Sequence, residues 1–364
     1  MEKILTPTEQ GFHMPGEHEA HDCIWMAWPE RTDNWRYGAK LAQKAFADVA
    51  KAIVQTTPVT MIVSAAQYQN ARRQLPSEIK VIEMSCDDSW MRDIGPSYVI
   101  NTNGQRMGID WEFNAWGGLV DGLYFPWDKD DAVASKICNI LGDPSYRAPI
   151  ILEGGSIHVD GDGTLYTTEE CLLHPSRNID LTKEEIEQHL KESLGVQKVI
   201  WLPQGLYNDE TNGHVDNIMH VVKPGEVALT WCDDPNDPQY EISRKALDIL
   251  STERDAKGRQ ILVHKLPLPG PLYITEEEAG GIDTSNGMER EIGERLAASY
   301  ANYLVTNNQI VYPLLDSNHD QDVAMIFSSL YPNYKITGVP AREILLGGGN
   351  IHCITQQIPR CNID

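Results

Sequence analysis

The chain has 364 residues, 41% hydrophobic and 23% charged, enough to bury a sizeable core in one large domain or two ordinary ones. With 30 basic and 53 acidic residues the net charge is −23. That speaks against a nucleic-acid partner, which needs a basic surface, and favours encounter with a cation, although plain solubility is the simpler reading of the charge. No apolar run is long enough to cross a bilayer, and residues 1–22 hold no apolar secretory signal. The cysteines at 23, 86, 138, 171, 232, 353 and 361 are odd in number and lack CxxC spacing. A disulfide framework or zinc site is therefore not expected, and a reducing cytoplasm is.

Periodicity predicts helices alternating with short strands. A long helix is expected over 33–55, a strand over 59–64, a helix over 67–75, and strands over 80–84 and 97–101. There follow a strand near 107–113, a helix over 128–141, and paired strands at 156–159 and 164–168 across Asp160-Gly161-Asp162-Gly163. Next come helix 182–194, strand 198–202, and strands 215–222 and 226–231 across Pro224-Gly225. Helix 240–251, strand 260–266 and strands 301–306 and 309–313 across Asn307-Asn308 form a fourth block. Helix 321–330, strand 335–339 and the stretch 347–355 form the last. The same order recurs about five times, with no clear linker, and 267–287 is the most loop-like part. Radial closure of five similar units would explain the repeat; an ordinary pair of α/β domains would too.

The polar residues at the start of each hairpin carry the functional signal. Asp93 lies in the first such loop, 87–96, Glu153 opens the second, and His214 and Asp216 sit in the third. The fourth, around Ala297-Ala298-Ser299-Tyr300, offers no obvious catalytic group. The fifth holds three glycines, 347–349, and then Cys353 at the head of a short apolar strand. Closure around an axis would bring Cys353, His214, Asp93, Glu153 and Asp216 together. Two carboxylates can each accept paired hydrogen bonds from a planar guanidinium, and a thiolate can attack its central carbon. A histidine can protonate the departing ammonia and activate water, with Glu153 raising its pKa. On an extended strand His214 and Asp216 would share a face, whereas His352 would point away from Cys353 and be structural. His158 and Asp160 are read as non-catalytic, and the run Asp233 to Asp237 as a solvated loop with a helix cap. Each residue also has a plainer reading: a buried cysteine is usually a small hydrophobe, and Asp93 beside Arg92 could be an ion pair. His214 and Asp216 could be metal ligands, but too few partners stand near them in sequence to complete a site.

Long motifs resemble one family. They include Asp88-Ser89-Trp90-Met91-Arg92-Asp93, Asp110 to Gly118, Leu152 to Asp160, Thr211 to Asn217 and Gly347 to Gln357. They resemble the agmatine deiminases of the guanidino-group-modifying superfamily, whose fold is the pentein α/β-propeller, and the likeness runs from Gly11 to Pro359. It implies a single pentein domain over 1–364 and hydrolysis of agmatine to N-carbamoylputrescine and ammonia through an amidino-cysteine intermediate. No metal or organic cofactor is implied. Cys353 would be the nucleophile, His214 the acid/base group, Asp93 and Asp216 the guanidinium binders, and Glu153 the support of the histidine. The family also implies a homodimer or higher homo-oligomer.

Agmatine ends in a bare ammonium, so its site should offer an anion or aromatic face. Glu210 is the candidate anion, with Asp209 second; Trp90, Trp111 and Trp116 could line the aliphatic chain or pack in the core. Gly348 and its neighbours would let the guanidinium lie close to the backbone. The rival readings are an arginine-type guanidino hydrolase or amidinotransferase on the same fold, and a pentein that binds without catalysis.

Overall fold

The computed structural model describes residues 5–283 and 290–361. Its strands form five separate sheets. In the second sheet Ser97–Ile100 pairs antiparallel with Arg106–Glu112, which pairs in parallel with Ser145–Ile151. The third (Ile157–Val159, Thr164–Thr168, Lys198–Leu202), fourth (Met219–Lys223, Glu226–Trp231, Leu262–Pro267) and fifth (Leu304–Thr306, Gln309–Leu314, Lys335–Pro340) repeat that order. The first sheet takes its antiparallel strand from the far end of the chain: Gln356–Pro359 pairs with His21–Ala27, followed in parallel by Val59–Val63 and Lys80–Glu83. The terminal strand thus completes the first unit and also lies against Ser97–Ile100. This is the five-unit α/β-propeller, the pentein fold.

A parallel pair needs a crossover, and each unit supplies a helix for it. These are Lys40–Ile53, Val133–Leu141, Lys183–Leu194, Gln239–Thr252 and Asp320–Leu330. They are amphipathic: Lys40–Ile53 buries Phe46, Val49 and Ile53 on one face and leaves lysines on the other. Lys183–Leu194 starts on a capping box, Thr182 with Glu185, and ends at Gly195 in the left-handed region, φ 67. Val59–Val63, apolar but for Thr60, is buried along its whole length between two neighbours. Among the described residues no helix is long and apolar enough to cross a membrane.

Several elements depart from the expected ones. The helix expected over 33–55 begins only at Lys40, because Asn34 Nδ2 and Trp35 Nε1 are drawn to Asp88 and Arg36 to Glu343. The expected strand 215–222 opens as a helical turn, Val215–Ile218, and extended pairing starts at Met219. Cys353 lies in a turn, and strand begins only at Gln356. The loop-like stretch 267–287 contains one helical turn, Glu276–Ala279, and its end lies outside the described residues.

Candidate active site

The segment entering the first strand of every hairpin delivers a polar side chain to one buried centre. Asp93 sits on the helical turn Met91–Ile94, Glu153 precedes the 3-10 turn Gly154–Ser156, and His214 and Asp216 lie at the turn Val215–Ile218. Cys353 lies in the turn before Gln356–Pro359. The fourth block, expected to be silent, delivers Asn302, whose Nδ2 lies 3.0 Å from Cys353 Sγ. All six residues are buried. Gly155 marks the convergence: a Cβ added there would lie 2.6 Å from His214 Nδ1 and 3.0 Å from both Asp216 Oδ2 and Asp93 Oδ1. His214 and Asp216 therefore do meet, but through a helical turn and not along a strand face.

Burial and charge set the protonation states. Burial pushes the Cys353 thiol well above the usual cysteine range, and the charges of Asp216 and Asp93 push it further. Burial disfavours the His214 imidazolium, but Asp93, Cys171 and Glu153 outweigh it and hold its pKa well above the ordinary value. Its Nε2 faces Glu153 Oε2 at 3.4 Å, and Nδ1, 4.0 Å from Asp93 Oδ2, has no hydrogen-bond partner among the described residues. Burial raises Asp93 to about 6, with Asp216 and Glu153 adding to the rise, against His214 and the N–H of Gly155. Burial also opposes the Asp216 carboxylate, yet His352 and His214 bring its pKa below the usual value, and its Oδ1 is unpartnered.

Above this centre a narrow cavity is lined by Trp90, Asp93, Trp116, Leu123, Glu210, Thr211, Cys353 and the glycines 347–349. Trp116 donates from Nε1 to Asp93 Oδ2 at 3.0 Å. Trp116 and Ala115 both occupy the left-handed region, φ 62 and 55, a strained presentation of the indole. Trp111 does not line the cavity: it packs in the core between the second and third units and donates to Ser97 Oγ. The glycines line the cavity beside Cys353 and also pack closely against protein groups. Side chains added there would strike the rings of Trp35 and Trp90 and the Glu210 carboxylate, so the bare backbone makes room for these protein groups. Glu210 reaches the cavity already paired, its Oε2 2.6 Å and Oε1 3.2 Å from the Arg290 guanidinium, which weakens it as a partner for a ligand ammonium. Asp209 instead accepts from the backbone N–H of His214 and from Asn217, and so holds the loop.

Beneath Asp216 lies a second polar cluster. His352 contacts Asp216 Oδ2 through Nδ1 and Glu17 Oε1 through Nε2, both at 2.8 Å. Carboxylates only accept, so this geometry calls for a proton on both ring nitrogens. His352 is thus tied to the centre and does not point away from it. Glu17 also pairs with Arg92 at 3.1 Å, and His158 and His220 pack beside it. By distance alone Glu17, His158, His220 and His352 could surround a small ion. The guanidinium of Arg92 and the doubly donating His352 already supply positive charge there, and a further cation would be repelled.

Sequence reasoning missed Asn302, His352 and Arg177. The Nε of Arg177 pairs with Glu153 Oε1 at 2.7 Å, and the same guanidinium holds the backbone oxygens of Trp116 and Thr211. Burial opposes the Glu153 carboxylate, but Arg177 and His214 keep it below the usual range. The one sequence signal for His352 was its place beside Cys353; Arg177 and Asn302 carried none.

Comparison with known proteins gives one answer. A family model described as Porphyromonas-type peptidyl-arginine deiminase matches residues 13–359. A protein of Photobacterium profundum named "Putative agmatine deiminase" is 73% identical over 355 residues, 98% of each chain. The solved agmatine deiminase of Enterococcus faecalis is 51% identical and superposes with a TM-score of 0.96 over 99% of both chains. The C. jejuni agmatine deiminase with substrate bound, a Cys-to-Ser variant, is 27% identical, with a TM-score of 0.82 over 96% of both chains.

Proposed function

The chain belongs to the Porphyromonas-type peptidyl-arginine deiminase family, among its agmatine deiminases, and from that premise we propose that it hydrolyses agmatine to N-carbamoylputrescine and ammonia. The observation that carries the reading is the convergence of Asp93, Asp216 and His214 on Gly155, with Cys353 Sγ 3.7 Å from Asp216 Oδ2. The guanidinium seats between Asp93 and Asp216, meeting the unpartnered Asp216 Oδ1. Its positive charge cancels the two carboxylates that hold the thiol up, so Cys353 loses its proton to solvent as substrate arrives. The sulfur then forms a bond to the central carbon. Protonated His214 gives its proton to the departing nitrogen, ammonia leaves, and an amidino-cysteine remains. Neutral His214 next takes a proton from water as its oxygen bonds to that carbon. The C–S bond breaks with its electrons returning to sulfur, the remaining hydroxyl proton is released to solvent as the carbonyl forms, and the ureido product leaves. Glu153, fixed by Arg177, orients His214 throughout. The proposal places the enzyme in the cytoplasm, whose reducing conditions suit a catalytic thiol, as a single domain within a homo-oligomer.

One feature favours the arginine reading: Arg290 puts a cation near the cavity, where an amino-acid carboxylate would need one. Its guanidinium is already bound to Glu210 and Asn34, so the balance of charge stays with agmatine. Ammonia release from agmatine and from arginine, by the wild type and Cys353→Ser, tests the proposal. Wild type should prefer agmatine and Cys353→Ser should be inactive; equal activity in the variant, or a preference for arginine, would sink it.

A further inference from the structure

We propose that Asn302 is a catalytic residue, donating a side-chain N–H to Cys353 Sγ and stabilising the sulfur as thiolate both when it attacks and when it leaves. The proposal rests on the reading of Cys353 as nucleophile. The donor sense follows from a chain of contacts that begins at a charge. Asp209 is a carboxylate and can only accept, so the Asn217 amide turns its Nδ2 to Asp209 Oδ2 at 2.9 Å. That aims Asn217 Oδ1 at Asn302 Nδ2, also at 2.9 Å. On its other side Asn302 Oδ1 accepts from the backbone N–H groups of His352 at 2.9 Å and Cys353 at 3.3 Å. The second N–H of Nδ2 is then left to face Sγ at 3.0 Å. A flipped amide would set oxygen against oxygen at Asn217, oxygen against sulfur at Cys353, and N–H against N–H at the backbone. The amide orientation is therefore dictated by its partners.

The contact matters because the thiol stands among negative groups. Asp216 Oδ2 lies 3.7 Å from the sulfur, Asp93 adds its charge, and both oppose the thiolate along with burial. His214 and His352 face these carboxylates, at Asp93 and Asp216 respectively. The donors acting in favour of the thiolate are the backbone of Asn350 and the side chain of Asn302. Asn302 is absent from the lining of the ligand cavity, so it acts on the sulfur and not on agmatine. As the C–S bond forms, the hydrogen bond weakens; as it breaks, the bond is regained by the departing thiolate.

Iodoacetamide alkylation of Cys353, followed across pH by mass spectrometry of its peptide in the intact enzyme without agmatine, reads the thiolate directly. Losing a hydrogen bond to a charged sulfur should slow alkylation of Asn302→Ala by about ten- to a hundredfold at neutral pH. Its kcat should fall in parallel, with KM for agmatine changed by less than about threefold. Asn302→Asp keeps an oxygen for the two backbone donors and replaces Nδ2, which serves Asn217 Oδ1 and Sγ, so a folded variant retains the backbone anchors; it should alkylate more slowly still. Alkylation within about twofold of wild type in a folded Asn302→Ala, or in Asn302→Asp, overturns the proposal. Because agmatine is absent, a wild type that released no ammonia would defeat the functional reading and leave this measurement standing.

Discussion

His214 and His352 are both buried and both flanked by carboxylates, yet their contacts differ. His352 holds Asp216 and Glu17 at 2.8 Å, one through each nitrogen. His214 bonds Glu153 through Nε2 at 3.4 Å, while its Nδ1 lies 4.0 Å from Asp93 Oδ2 and makes no hydrogen bond among the described residues. An imidazole bonded at both ends is a strut: moving its proton would break an ion pair in a dry interior. One bonded weakly at one end can pass a proton and recover it. The same residue type therefore sets the floor of the site in one place and is free to exchange a proton in the other, and partner geometry makes the difference.

Three experiments sharpen or break this contrast. The largest effect is expected at His214: His214→Gln should lower kcat for ammonia release by about 10²- to 10⁴-fold, the usual worth of a general acid–base group. His352→Gln should cost less, about ten- to a hundredfold in kcat/KM, through a misplaced Asp216 and not through a lost proton. An equal loss in both variants, with the same change in pH profile, would erase the distinction.

The pH profile tests the carboxylate that His214 faces. Asp93 must be ionised to bind the guanidinium, and its folded pKa is raised to about 6. Below pH of about 6, kcat/KM should therefore fall about tenfold per unit. The stability sign is opposite: a carboxyl raised on folding stabilises when protonated. That contribution is present below the unfolded pKa and is lost as pH rises through about 6. Asp93→Asn should remove the acid limb of any residual activity and make the fold less sensitive to pH between 4 and 6, roughly the window between the two pKa values. An unchanged acid limb would show that another group governs it.

The smallest effects separate site from core. Trp116→Phe, which loses the bond to Asp93, should lower kcat/KM by about tenfold. Trp111→Phe should leave activity within about twofold and cost about 1 kcal/mol of stability through its bond to Ser97. A reversed order, read from kinetics and thermal unfolding, would return Trp111 to the site.

The expected elements and the observed ones agree where burial is one-sided. Lys183–Leu194 and Gln239–Thr252 show their amphipathic period in the sequence, and the capping box at Thr182 fixes where the first begins. Agreement fails near the axis. The segments 215–218 (Val-Asp-Asn-Ile) and 351–354 (Ile-His-Cys-Ile) bury polar and apolar side chains alike, so neither a helical turn nor a strand leaves a one-sided period, and periodicity cannot tell them apart. Misreading those turns is what set His352 on the wrong side of Cys353.

By itself the sequence determined the fivefold order of helix and strand, because amphipathic spacing and turn chemistry are local. It also singled out the five residues proposed to react, because Asp93, Glu153, His214, Asp216 and Cys353 each stand inside a motif at a hairpin entrance. The tertiary structure alone decided what those residues touch. Asn302 reaches Cys353 across 51 positions, His352 reaches Asp216 across 136 and Glu17 across 335. It also seated Glu210 on Arg290 and brought Trp35, Trp90 and Glu210 up against the triple glycine. Protonation and reactivity depend on charges and donors within a few ångströms, and closing the ring brings those together without leaving any pattern along the chain.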